Sequence, residues 1–481
     1  LSETRESWSA SKLAVLENSE RYAARRREFT QRASFFHEED QRYLQFLIPA
    51  NLRVLDIGCG IGDTLAGLKP SSGVGFDFSP AMVSEARRLH PGLDFRVGDV
   101  EDAKAIAALP GPFDVILMVD TIGSLDDCQA ALENLHSQCT RSTRVVIAYY
   151  SHLWEPLLRF AEWIGWRAPQ QSPNVMAPSD IHELAMLADF EVIKSEVRLL
   201  SPLWLWGVGR FLNRFVSMLP GIRHLSLRHY SVCRSLRHKS EPPKSATIVI
   251  PARNERGNIE SAVRGIPRFC DDIEIIFVEG HSTDGTLDEI KRVMAASPGQ
   301  DIKLLQQFGK GKADAVFMAF DRARGDVLMI LDGDLTMPPD QLPKFWRAID
   351  SGKGEFINGS RLVYPMENEA MQFLNLIANR TFSILFSWLL NQRFTDTLCG
   401  TKVLRREDYQ RLKQGRTYFG DFDPFGDFDL IFGAAKLNLR CIEVPIRYRA
   451  RTYGQTNISR FRHGLMLLRM VVFAFFRIKA L

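Results

Sequence analysis

Two stretches of the chain carry spacings with chemical meaning: Asp56 followed by Gly58, Gly60 and Gly62, and, far downstream, Asp332-Gly333-Asp334. In the first, the apolar run 53–57 passes into a turn with glycine at every second position, so backbone can approach a ligand closely as a helix begins. A nicotinamide-dinucleotide turn is spaced Gly-x-Gly-x-x-Gly. Here the third glycine falls one position early and Asp63 stands in its place. Asp56, inside the strand end, can receive the ammonium of an amino-acid moiety, and the spacing favours S-adenosylmethionine over NAD. In the second stretch, two carboxylates flank a glycine at the end of the wholly apolar run 327–331. Such a pair can bind a hard divalent ion, Mg or Mn, that grips a diphosphate and absorbs charge on a departing nucleotide.

Further acids follow the first turn in order. Asp77 ends a second expected strand (74–77) and suits ribose hydroxyls. Asp99 follows a third, near where adenine would lie, and Asp120 closes a fourth (113–120) at the ligand edge of an open parallel sheet. These residues resemble the class I S-adenosylmethionine-dependent methyltransferases over about 36–238. For a hydroxyl acceptor, Asp120 and His152, which follow the fourth and fifth expected strands, are the candidate bases. Asp120 can equally touch the cofactor, and His152 can equally be a loop hydrogen-bonder.

In the second half, 247–255 reads as a strand breaking into a turn, and 274–278 as the next strand, ending at Glu279. The spacing Thr286-x-x-Glu289 predicts a capping box that makes Asp284 and Thr286 structural. Together with Pro251 to Glu255, Asp332-Gly333-Asp334, Gly359-Ser360-Arg361, Asp396 to Gly400, Glu443-Val444-Pro445 and Arg451 to Gly454, this half resembles family 2 glycosyltransferases of the dolichyl- and polyprenyl-phosphate sugar transferase kind over about 245–456. The resemblance implies a GT-A fold in which Pro251, Glu255 and Glu279 bound the nucleoside. It implies that Asp332 and Asp334 bind metal and diphosphate, and that Arg361 and Arg451 face phosphate oxygens. Two departures stand out: Val278-Glu279-Gly280-His281-Ser282 replaces the usual Val-Asp-Asp-Gly-Ser, and Gln455-Thr456-Asn457 replaces Ser-Lys. Counting back from Glu443, Asp429 matches the family's acid over the sugar site and is the natural general base if the acceptor is a hydroxyl. Asp423 and Asp427 are the alternatives. A lipid phosphate, already ionised, needs positive guidance instead.

The elements that must position these residues form an α/β chain of two Rossmann-like domains, the second a GT-A fold with amphipathic helices. A helical arm is expected over 1–35, the methyltransferase domain over 36–238, a Pro-containing linker over 239–245, the glycosyltransferase domain over 246–456 and a basic amphipathic helix over 457–481. With 45% hydrophobic and 25% charged residues, the 481-residue chain is globular and not disordered. Seven cysteines without a Cys-x-x-Cys pair point to reduced, buried thiols in a cytosolic setting. Residues 1–45 show no signal peptide, although a chain beginning at Leu1 leaves a trimmed leader open.

No membrane span is expected, because the apolar run 371–390 carries Asn375, Asn379 and Arg380. That run reads either as an interfacial hairpin feeding a lipid to the site or as a core helix or dimer contact. Residues 197–240 hold eight Lys or Arg and no acid, and 436–479 hold ten against one. Trp204, Trp206 and the aromatic run 473–476 accompany them. A peripheral, cytoplasmic enzyme at an anionic membrane surface is expected, acting on a nucleotide sugar and a lipid or glycan acceptor, with no nucleic-acid partner. The sequence leaves oligomeric state open.

Overall fold

Val54, Leu55 and Ile57 alternate apolar side chains to both faces of a short strand, which marks it as central to a sheet covered on both sides. In the computed structural model, described over residues 8–170, 176–238, 241–364, 373–415, 426–454 and 460–480, that strand is β1 (Arg53–Ile57) of a seven-stranded sheet. The others are β2 (Ser72–Asp77), β3 (Asp94–Val97), β4 (Val115–Val119), β5 (Arg144–Tyr150), β6 (Phe190–Arg198) and β7 (Arg228–Ser235). Their order is β3-β2-β1-β4-β5-β7-β6, with β7 antiparallel to both neighbours and the rest parallel. The order reverses direction between β1 and β4, and an open α/β sheet binds ligands at the carboxyl ends there. Leu55, Ile57, Ile116 and Ile147 anchor the core of this unit.

A second seven-stranded sheet contains β8 (Ser245–Ala252), β9 (Asp272–Glu279), β10 (Asp301–Gln306), β11 (Val327–Ile330), β12 (Phe356–Ser360), β13 (Lys402–Arg405) and β14 (Cys441–Pro445). It runs β10-β9-β8-β11-β13-β12-β14, with only β13 antiparallel to its neighbours. Ile248, Ile250, Phe277 and Met329 lie in its core. The chain is thus two α/β units, a methyltransferase-like Rossmann fold and a GT-A fold. By packing they divide as Leu1–Lys239 with Lys479–Leu481, and Ser240–Ile478. The arm helix Ala10–Tyr22 belongs to the first unit.

All seven cysteines are free, and six are buried. Among the described residues no helix is long and apolar enough to cross a membrane. The helix Phe373–Leu390 docks on the second unit's core: Phe386 is fully buried against the Phe428 and Phe432 rings. Its polar residues point inward as well. Asn379 Nδ2 donates to Asp396 at 2.9 Å, and the Ser383 and Ser387 hydroxyls donate to the carbonyls of Thr395 and Phe394. These bonds favour the core-helix reading of this segment.

The expected capping box does not form. The helix Thr286–Ala296 begins after left-handed Gly285 (φ 88) with no side-chain cap. Thr286 is already helical, so its hydroxyl turns back to donate to Asp284 Oδ1 at 2.5 Å, and its N–H does so at 3.0 Å.

Candidate functional site

In the first unit a cavity of about 160 Å³ opens at the carboxyl ends of β1, β2 and β4, with Gly58, Gly60, Asp77, Asp99 and Asp120 in its wall. Gly60 is left-handed (φ 52), and a side chain there would project into open space, so its backbone presents a bare surface. Gly62 (φ 81) caps the short helix Asp63–Gly67. Asp77 shapes the turn: one carboxylate oxygen accepts from Gly60 N and the other from Ser79 N, both at 2.9 Å. Burial raises the Asp77 carboxyl above its ordinary range, partly offset by those two N–H groups.

Asp56 is buried at 2% exposure at the end of β1, and it is not among the residues that line the cavity. Burial, followed by the neighbouring charge of Asp77, raises its carboxyl to about 8. It lies in the strand leading into the turn.

The arm supplies walls that the sequence did not reveal. Lys12, Val15, Asn18, Ser19, Tyr22 and Arg26 all face the cavity. Lys12, 3% exposed, bridges Asp99 at 2.6 Å and Glu101 at 3.0 Å, and Ser9 donates through N and Oγ to Asp126. At the other end Asp120, left-handed at φ 57, pairs with the fully buried Arg228, which also holds Asp40 at 3.2 Å. Asp120 is therefore not a lone base. His152 is exposed in a short helical turn and is not among the residues that line the cavity.

In the second unit Asp332 and Asp334 follow β11, and each carries a cation. Lys312 Nζ lies 2.6 Å from Asp332 and 3.7 Å from Asp427, and Arg451 Nη2 lies 2.6 Å from Asp334. Asp334 also accepts from Thr336 N and Oγ1. Burial pushes the Asp332 carboxyl up, but Lys312 outweighs it and holds the group below its ordinary value. With 31% of its side chain exposed, Asp332 remains open to a ligand. A side chain at Gly400 would collide with both the Asp332 carboxylate and the Lys312 ammonium, which is why the loop after Asp396 ends in glycine.

Arg451 reaches across to Glu255 at 3.4 Å. Burial raises Glu255 to about 7 despite that arginine. Pro251 ends in β8, and Glu279, 6% exposed, accepts from Ser282 N at 2.5 Å. Asp429 is buried in the first turn of the helix Asp427–Lys436. Asp423 and 455–457 lie outside the described residues.

Arg361 departs from the expected phosphate-facing role. Its guanidinium forks onto Asp396 (Nε 2.7 Å, Nη2 2.8 Å), its own N–H donates to the same carboxylate, and it stacks over the Tyr448 ring. A bidentate pair of this kind fixes a loop. Glu443 completes the brace by accepting from Thr395 N, Thr395 Oγ1 and Asp396 N. Lys312 was missed in the sequence, although Gly309-Lys310-Gly311-Lys312 before a buried helix was a readable signal. Among the described residues no group of three or more His, Cys, Asp or Glu could hold a metal.

Comparison with known proteins agrees with this division. Residues 22–195 match the family model "Methyltransferase domain", and 247–413 match "Glycosyl transferase family 2". The chain therefore carries a methyltransferase domain followed by a family 2 glycosyltransferase domain. Over its second half it is similar to a low-salt glycan biosynthesis hexosyltransferase of Haloferax volcanii, 26% identical over 48% of this chain and 54% of that one. A polyprenol monophosphomannose synthase of Mycolicibacterium smegmatis is 25% identical over 45% of this chain and 82% of its own length. A dolichol-phosphate mannosyltransferase of Pyrococcus furiosus is 34% identical over 44% of this chain and 59% of its own. The chain thus spans little more than half of the first and third relatives.

Proposed function

We propose that the second unit transfers a sugar from a nucleotide donor to a polyprenyl-phosphate-like lipid, and that the first uses S-adenosylmethionine to methylate a related glycan or lipid intermediate. The observation that carries the first part is the pairing of Lys312 with Asp332 and of Arg451 with Asp334 at the end of β11. Two carboxylates offer hard oxygen donors, and two cations stand beside them for phosphate oxygens. These donors fit a divalent ion, Mg or Mn, held by Asp332 and Asp334. Such an ion would supply neutralisation of the leaving diphosphate. Lys312 and Arg451 orient the phosphates, while Pro251, Glu255 and Glu279 bound the nucleoside. For a lipid phosphate acceptor no base is required. For a hydroxyl acceptor Asp429 takes the proton.

The names of the relatives support a lipid phosphate acceptor, and so does the helix Arg460–Ala474. Leu467, Met470, Val471 and Ala474 are buried, while Leu465, Leu468, Val472 and the following Phe476 form an exposed apolar stripe. Such a stripe suits an interface with lipid and supports a peripheral location.

In the first unit the bare Gly60 surface and the Asp77 and Asp99 carboxylates fit the cofactor, which when bound would supply an electrophilic methyl group. Asp120, held by Arg228, orients the acceptor. The test is incubation of the full chain with nucleotide sugars, Mg or Mn, and polyprenyl phosphate. Label from the sugar is expected in the organic phase. Label found only in water-soluble product would sink the lipid reading.

A further inference from the structure

We propose that the first unit docks on a phospholipid surface through an apolar face made by the helix Glu155–Trp163 and the segment 203–225, and takes its methyl acceptor from that surface. The docking stands on the observations below, and the acceptor clause rests on the methyl-transfer reading. The helix is apolar on two sides. Trp154 and Leu158 pack inward on Phe36, Leu199 and Leu227, whereas Leu157, Phe160 and Trp163 stand in water, Trp163 at 81% exposure. The second segment brings Leu203, Trp204, Leu205, Trp206, Val208 and Phe211 to the surface, Trp206 at 90%. The two segments are tied by Trp154 Nε1, which donates to the Leu225 carbonyl at 2.7 Å. Among the described residues they hold eleven of the eighteen large exposed hydrophobics of this unit, well beyond the scattered surface apolars of an ordinary monomer.

Backbone conformation singles out the tip. Leu205 (φ 46), Trp206 (φ 54) and Gly207 (φ 91) are left-handed in succession. That region is disfavoured for any residue with a Cβ. Here the turn, held by Gly207 N and Gly209 N donating to the Trp204 carbonyl, presents both apolar side chains outward, Leu205 at 47% and Trp206 at 90% exposure.

Charge selects the occupant. The segment 203–225 holds Arg210, Arg214 and Arg223 and no acid. A second copy related by a two-fold axis would set these arginines against themselves, whereas phosphate headgroups complement them, and tryptophan is enriched where lipid meets water. The basic stretch expected from the sequence is, however, partly spent indoors. Arg198, Arg228 and Arg234 are buried beside Glu196, Asp40 and Asp120, and Glu191. Docking is therefore chiefly apolar and less dependent on salt than the count of basic residues suggests.

The face runs on to the cavity. After the helix, Arg167 lays its guanidinium over the Tyr150 ring at 4.8 Å, and Gln170 joins the cavity wall with Asp120. Arg228, which holds Asp120, covers the same ring at 4.6 Å. One stretch of chain thus presents apolar side chains outward and a polar cavity wall at its inner end, a layout for a head group whose tail stays in lipid.

The test uses the full chain, vesicles of phosphatidylcholine with phosphatidylglycerol, and brominated analogues of the same lipids. Wild-type tryptophan fluorescence is expected to be quenched by the brominated lipid, and sedimentation with vesicles to persist in 1 M salt. Phe160→Ser with Trp163→Ser, and separately Trp204→Ser with Trp206→Ser, should each lower vesicle partition by about tenfold or more, with S-adenosylmethionine affinity by calorimetry unchanged as the measure of folding. Unaltered partition in the combined variant would overturn the proposal. So would a wild-type dimer that these substitutions dissociate in the absence of lipid. If wild type fails to bind S-adenosylmethionine while the vesicle results hold, the methyl-transfer reading falls and the docking face stands.

Discussion

The aspartates at the two sheet edges are balanced differently, although Glu255 beside the second pair is also raised by burial. In the first unit, burial raises both Asp56 and Asp77, Asp56 to about 8, and the buried cations nearby, Lys12 and Arg228, are engaged by Asp99 and Asp120. In the second, Lys312 sits on Asp332 and Arg451 on Asp334, and Asp332 is held below its ordinary range. A pocket walled by Asp77, Asp99 and Asp120, with Lys12 and Arg228 engaged by two of them, leaves room for a cationic ligand such as a sulfonium bearing an ammonium. A pocket whose acids are already matched suits an anion and its counter-ion. The charge state in which each site waits is thus a guide to the ligand it was built for.

The contrast is broken most severely at Asp334. Asp334→Asn removes the partner of Arg451, and sugar transfer is expected to fall by roughly 10²–10³-fold or more, with S-adenosylmethionine affinity unchanged in calorimetry. Near-normal transfer by this variant would discard the assignment. Gly400→Ala drives a methyl group into the Asp332 and Lys312 pair. A loss of about 10²-fold in turnover is expected from the misplacement, again with cofactor binding intact, and the radiolabel assay that follows Asp334→Asn reads it.

On the other side of the comparison, Asp77→Ala should weaken S-adenosylmethionine by about 1.5–3 kcal/mol and leave sugar transfer untouched. Titration calorimetry decides it, and wild-type protein that binds NADH but not S-adenosylmethionine would reverse the identification. The smallest effect concerns pH. The Asp56 carboxyl is raised from 3.8 to about 8 in the folded chain, so the folded state binds that proton more tightly than the unfolded one. Its effect on stability is absent below about pH 4, and stability is lost progressively as pH rises toward 8. Asp56→Asn should flatten this slope in the melting transition of the first unit, and equal slopes for the two proteins would remove Asp56 from the account.

What the sequence made legible was local. The glycine turn after β1, the acids ending β2 and β4 and the Asp332-Gly333-Asp334 turn after β11 are each fixed by neighbours within a few residues, where strand period and turn chemistry act. Arg361 misled because its fork is satisfied by Asp396, a partner 35 positions away. Arg228 looked like one charge in a basic run, yet its partner Asp40 lies 188 residues upstream. Pairings at that range leave no periodicity to read. The aromatic residues 204 and 206 were visible as types, but the left-handed backbone from Leu205 to Gly207 was not.

The arm also bears on the order in which the first unit is assembled. Lys12 meets Asp99 across 87 residues and Ser9 meets Asp126 across 117. Contacts of such sequence separation close late, since loop entropy must be overcome before they contribute. Six residues of the cavity wall come from the arm, so the arm is expected to be among the last segments of this unit to find its place. Until it does, β1, β2 and β4 form an open ledge. The enclosure of the cavity is thus a long-range event, set by contacts between the arm and strands far along the chain.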